Sequence, residues 1–110
     1  MLRTKKQTKD ICSDCPLAKT ANLIGDTFNL LIIRDLLNGP RRFSHFETSL
    51  TGVSSRTITK KLKFLETEYI ITRNVFNEKP PKVEYSLTKK GKALHKIIET
   101  MRVYGEKHLQ

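Results

Sequence analysis

Residues 54–66 read SSRTITKKLKFLE, a stretch in which Ile58, Leu62 and Leu65 share one stripe of a helix while Arg56, Lys60 and Lys63 project from the opposite side. Such a helix can bury one face in a core and offer the other to something negatively charged. Upstream, Pro16 suits the first position of a short helix over 16–25. Asp26 can cap the next, TFNLLIIRDLLN, which is apolar nearly all round, is expected to be the buried centre, and stops at Gly39 and Pro40. Ser44 and Glu47 stand at capping-box spacing, which predicts a brief third helix, HFETSL, closed by Thr51 and Gly52. Ser54 or Ser55 then caps the two-sided helix.

Beyond residue 69 the period changes from helical to alternating. IITRNVF and KVEYSLT are β-branched and aromatic, and their alternation sets Ile71, Arg73 and Val75 against Val83, Tyr85 and Leu87. The linking NEKPP is short and polar, so the two runs form a hairpin whose tip or second-strand entry Pro80 and Pro81 stiffen. Thr88 caps one long final helix with a stripe of Leu94, Ile97, Ile98, Met101 and Tyr104. That stripe is longer than one small domain needs, and part of it is expected to face another subunit. A short helix, a tight connection containing glycine and a second helix with a basic face make a helix-turn-helix, and the hairpin after it makes a wing. The expected fold is mainly α with a small antiparallel β-hairpin, a single winged helix-turn-helix domain over 1–110.

Length and charge narrow the partner. A chain of 110 residues supports one core. A net charge of +10 favours nucleic acid, an anionic membrane surface or an acidic partner, without choosing among them. The opening MLRTKKQTKD has no apolar periodicity and resembles neither a signal peptide nor a membrane anchor, so residues 1–14 are expected to be a flexible basic arm. The run LLII at 30–33 is far below the roughly 20 residues of a membrane helix. No membrane partner and a cytoplasmic location are expected.

The major groove of B-DNA admits one helix, with residues near its amino end approaching base edges. Ser54, Ser55, Arg56, Thr59, Lys60 and Lys63 are therefore the candidate recognition residues: Ser55, Arg56 and Thr59 for bases, Lys60 and Lys63 for phosphates. Arg41, Arg42, Arg73, Asn77, Lys79 and Lys82 are the candidates on the wing and flank. The plainer alternative is a solvated cationic face. Cys12 and Cys15 form a lone C-x-x-C; structural zinc needs four ligands, and His45, His95 and His108 are not clustered, so no metal is expected. A thioredoxin-like role would want a βαβ unit, which is absent from the predicted order. A sensor thiol fits better: Cys15 lies at a helix start with Lys19 one turn away, although Asp14 opposes this. There is no catalytic constellation and no Gly-rich phosphate loop, so neither enzymatic activity nor a cofactor is expected; His45 and Glu47 read as a surface residue and a capping residue.

The segments CPLAKTANLIG, LLIIRDLLNGPRRFSHF, TGVSSRTITKKLKFLE and PPKVEYSLTKKGKAL, in this order and at these spacings, resemble the HxlR family of winged helix-turn-helix, MarR-like transcriptional regulators. The resemblance covers 15–104, and its most specific pieces are GPRRFS and PPKVEYSLTKKG. It implies a homodimer whose first and last helices form the interface, with each recognition helix in a major groove and residues 79–82 in a wing against neighbouring backbone or minor groove. The family commonly carries a cysteine directly before proline ahead of its first helix, the place of Cys15, and some members sense oxidants or electrophiles with it; Cys12 has no general counterpart. Two departures stand out: Asp26, Thr27 and Phe28 replace a usual Gly-Lys-Trp, and Tyr69 replaces a frequent glycine before the first strand. The expectation is a double-stranded DNA-binding transcriptional regulator that reads a roughly palindromic operator as a homodimer. Redox or electrophile control through Cys15, alone or with Cys12, fits the same scheme, and a small-molecule effector is left open. Its rivals are a non-specific architectural nucleic-acid protein and a thiol redox protein.

Overall fold

The structure, a computed structural model, describes residues 4–12 and 14–110. Its first helix, α1 (Lys5–Cys12), opens on a reciprocal cap: the Thr4 hydroxyl accepts from the Gln7 N–H at 3.0 Å, and the Gln7 side-chain carbonyl accepts from the Thr4 N–H at 3.1 Å. The expected arm is therefore helical along this length. Its exposed lysines, Lys5, Lys6 and Lys9, supply no apolar stripe, which is why periodicity missed it. Pro16 starts α2 (Pro16–Ile24), where the Cys15 sulfur accepts from the Ala18 N–H at 3.4 Å. The Asp26 carboxylate caps α3 (Thr27–Leu36), accepting from the N–H groups of Phe28 at 2.9 Å and Asn29 at 3.1 Å.

Helix α3 is the centre of the fold, as its nearly continuous apolar character predicted. Ile32, Ile33 and Leu36 join Phe46, Leu50, Ile58, Leu62, Leu65, Ile70, Ile71, Leu87 and Leu94 in one core. Two helices follow, α4 (Phe43–Ser49) and α5 (Ser55–Thr67), separated by a turn in which Gly52 takes φ +84°. The expected start of α4 is corrected. Arg42 occupies the cap position without a side-chain hydrogen bond, Ser44 lies inside the first turn, and Glu47 is engaged elsewhere. Ser54 caps α5, its hydroxyl accepting from the Thr57 N–H at 3.1 Å.

Strands β1 (Ile71–Phe76) and β2 (Lys82–Leu87) pair antiparallel with Ile71 opposite Leu87, Arg73 opposite Tyr85 and Val75 opposite Val83, the register that alternation predicted. Arg41 adds a single bridge to this hairpin through two backbone hydrogen bonds with Tyr85, at 3.0 and 2.8 Å. The expected single final helix is two: α6 (Lys89–Lys92), capped by Thr88, and α7 (His95–His108). Close packing at Gly91 precedes the break. A Cβ on Gly91 would stand 2.3 Å from the Ile70 carbonyl oxygen, so the chain passes there only as glycine. The Leu94 N–H then bonds to the Gly91 carbonyl at 3.1 Å, three residues back, a tight turn that sends Leu94 into the core. Ile97, Met101 and Tyr104 remain on the surface of α7.

Candidate nucleic-acid interface

Ile58, Leu62 and Leu65 hold α5 against the core, and this fixes what its other side can do. Ser54, Ser55, Arg56, Thr59, Lys60 and Lys63 are all exposed. The side chains of Arg56 and Lys60 make no hydrogen bond or ion pair with any described residue, and that of Lys63 has only a loose contact with Glu66 at 3.9 Å. The cationic edge is thus free toward solvent. Lys61 behaves differently: its ammonium is 2.5 Å from the carboxylate of Asp26, tying α5 to the cap of α3. Burial alone would raise the Asp26 carboxyl; the Lys61 hydrogen bond and charge and the N–H groups of Asn29 and Phe28 outweigh it and hold the group below its ordinary value. Sequence reading passed over Lys61, although its position three residues after Ile58 sets it at the margin of the apolar stripe.

A second joint fixes α4. The buried Asp35 carboxylate accepts from the Ser49 hydroxyl at 2.6 Å and from Arg34 Nε at 3.0 Å, and lies 3.2 Å from His45 Nε2. Burial pushes this carboxyl upward as well, and the Ser49 and Arg34 hydrogen bonds, with the charges of Arg34 and His45, bring it below the usual value. His45, expected to be a plain surface residue, is part of this joint, and its ring meets Phe46 edge-on at 5.5 Å.

The wing and flank candidates separate into free and occupied groups. Arg42, Arg73, Asn77 and Lys79 are exposed. Arg73 lines a groove of about 310 Å³ between α5 and the hairpin, together with Thr59, Leu62, Lys63, Glu66 and Tyr85, so it stands beside α5 rather than at the hairpin tip. Arg41 is half-buried, its Nε 3.4 Å from the Asp35 carbonyl, and serves the bridge to the hairpin. Lys82 is engaged within the wing, 3.4 Å from Glu84 and 5.1 Å above the Phe76 ring. The wing's unengaged lysine is Lys79.

Cys15 is a free, exposed thiol at the amino end of α2. The side chain of Cys12 lies outside the described residues. Among the described residues no three His, Cys, Asp or Glu side chains converge as metal ligands, and no helix is long and apolar enough to cross a membrane.

A three-helix core carrying a helix-turn-helix and a two-stranded wing is the winged helix-turn-helix class, and a basic edge on its second helix is the feature through which that class meets DNA. A profile described as HxlR-like helix-turn-helix matches residues 23–110, and the chain belongs to that family of transcriptional regulators. It is 35% identical over 111 residues to the HTH-type transcriptional regulator YdeP of Bacillus subtilis, covering 97% of this chain and 87% of YdeP. It is 37% identical over 93 residues to the HTH-type transcriptional regulator YodB of the same organism, covering 84% and 83% of the two chains. Among solved structures, the redox regulator HypR in its oxidised form superposes with a TM-score of 0.81 at 34% identity, over 86% of this chain and 97% of that one.

Proposed function

We propose that this protein is a homodimeric regulator that binds double-stranded DNA at a roughly palindromic operator, with half-sites about one helical turn apart or a multiple of it. The observation that carries this reading is the unpaired edge of α5: Arg56 and Lys60 have no partner among the described residues, while the aliphatic stripe opposite them is fully anchored. Arg56, Ser55 and Thr59 read bases; Lys60, Lys63, Arg42, Arg73 and Lys79 hold phosphates. Arg41 and Lys82 support the wing rather than contact DNA directly.

Pairing of two protomers is supported by α7. Ile97, Met101 and Tyr104 are 40%, 44% and 58% exposed, and Met101 lines an apolar cleft with Leu30, Leu31 and Ile98, flanked by Arg34 and Arg102. Cys15 supplies the control point. Its thiol is exposed at the amino end of α2, where an oxidant or electrophile can reach it. The likeness to a redox regulator makes oxidants or electrophiles the class of signal.

Selection from random duplexes tests the whole reading. Enrichment of one symmetric motif, with binding abolished or altered by oxidant in the wild type but not in Cys15→Ser, is the expected result. Tight binding without any enriched motif would favour an architectural protein that coats DNA. Insulin-reducing activity in a chain that bound no duplex would favour a thiol redox protein.

A further inference from the structure

Three side-chain hydroxyls at the amino end of α5 have their protons committed inside the protomer. The Ser55 hydroxyl donates to Glu47 Oε2 at 3.0 Å, the Thr59 hydroxyl donates to the Ser55 carbonyl at 2.8 Å, and the Ser54 hydroxyl donates to Thr57 Oγ1 at 3.0 Å. A hydroxyl has one proton. With each proton committed inside the protomer, these oxygens offer only lone pairs outward. Glu47, exposed on α4 and bonded to Ser55, adds a carboxylate, which accepts and cannot donate. The exposed Arg56 guanidinium supplies side-chain donors in the same turn.

Glu47 is also out of keeping with its surroundings. In a chain of net charge +10, a carboxylate beside the reading end of α5 repels phosphate and lowers general affinity for DNA. It does not cap α4, which has no side-chain cap. The groups on DNA that suit it are the exocyclic amino groups in the major groove, cytosine N4 and adenine N6; guanine and thymine present acceptors there.

Resting on the DNA-binding reading above, we infer that Glu47 and Ser55 together form a specificity element that selects an amino-bearing base, cytosine or adenine, on the strand facing the start of α5, while Arg56 selects a neighbouring guanine. Glu47 reads directly through its second oxygen and fixes the polarity of Ser55 through its first.

The test compares the wild type, Glu47→Gln and Ser55→Ala by random-duplex selection, followed by binding to duplexes changed at single positions. The wild type prefers cytosine or adenine over guanine or thymine at one position per half-site by roughly tenfold, the scale of a good base contact. Glu47→Gln, whose amide both donates and accepts, binds more tightly overall yet loses that preference and keeps the guanine at the neighbouring position. Ser55→Ala leaves the Ser54 cap intact and weakens the same preference. An unchanged motif in both variants overturns the inference, and so does an equal loss of preference at every position, which marks a purely structural role. A wild type that enriches no motif overturns the sequence-specific reading itself.

Discussion

Tyr69 stands at φ +60°, a left-handed conformation that costs a residue with a Cβ about 1–2 kcal/mol. The reason lies in how α5 ends: the Ile70 N–H reaches back to the Leu65 carbonyl at 2.9 Å and the Tyr69 N–H to Glu66 at 3.0 Å, a closure that glycine usually makes. The ring is 75% exposed, so little packing offsets the strain. Tyr69→Gly is therefore expected to stabilise the fold by about 1 kcal/mol, raising the melting temperature by about 4 °C. Tyr69→Ala, which keeps the Cβ, should give no such rise. On α5 the roles divide by position. Arg56→Ala is expected to relax base preference, whereas Lys63→Ala weakens binding to all sequences alike, read by titrating matched and mismatched duplexes; equal loss of specificity in both would contradict the division. The exposure of Arg56 was legible from sequence because a stripe of three aliphatic residues dictates what lies opposite. The hydrogen bonds of Glu47 and the engagement of Lys82 were not, since both depend on partners in other turns or strands that spacing alone does not reveal.

At the scale of elements, the half-buried carboxylate of Asp26 and the buried one of Asp35 tie α5 and α4 to α3. Asp26 meets Lys61 of α5, and Asp35 meets Ser49 and His45 of α4. Both carboxyls lie below their ordinary value of 3.8 in the folded protein. A depressed carboxyl contributes stability that is fully present above its unfolded value and is lost as pH falls through the folded one. Melting temperature should thus be nearly level from neutral pH down to about 5 and fall steeply below the unfolded carboxylate range. Asp26→Asn should be less stable at neutral pH and show a shallower acid limb; an acid limb identical to the wild type would remove Asp26 from this role. Helix starts at Pro16, Asp26 and Ser54 and the hairpin register were readable because local chemistry decides them. The Thr4 and Gln7 cap was present in the sequence but lay among lysines. The Ser44 and Glu47 pair had the spacing of a cap, yet a carboxylate with a hydroxyl available on the next helix bonds there instead. The division of α6 from α7 lies at the tight turn in which the Leu94 N–H bonds to the Gly91 carbonyl, a local departure that an unbroken apolar stripe does not encode.

The whole molecule presents two surfaces of different character: an apolar stripe on α7 and a cationic edge on α5. If the stripe pairs protomers, Met101→Glu should raise the dimer dissociation constant at least about tenfold, about 1.4 kcal/mol, because a carboxylate must then be buried. Sedimentation equilibrium reads this directly, and an unchanged mass distribution would argue against α7 as the interface. The net charge of +10 makes DNA affinity a matter of counterion release as well as contact. The most direct measurement of the central claim is the slope of log affinity against log salt for the selected duplex, taken for the wild type and for Lys60→Ala. A dimer that sets both α5 edges on phosphates gives a steep negative slope, and Lys60→Ala makes it shallower by about two, since two phosphate contacts are lost. A slope near zero, or one that Lys60→Ala leaves unchanged, would contradict the placement of this edge against DNA.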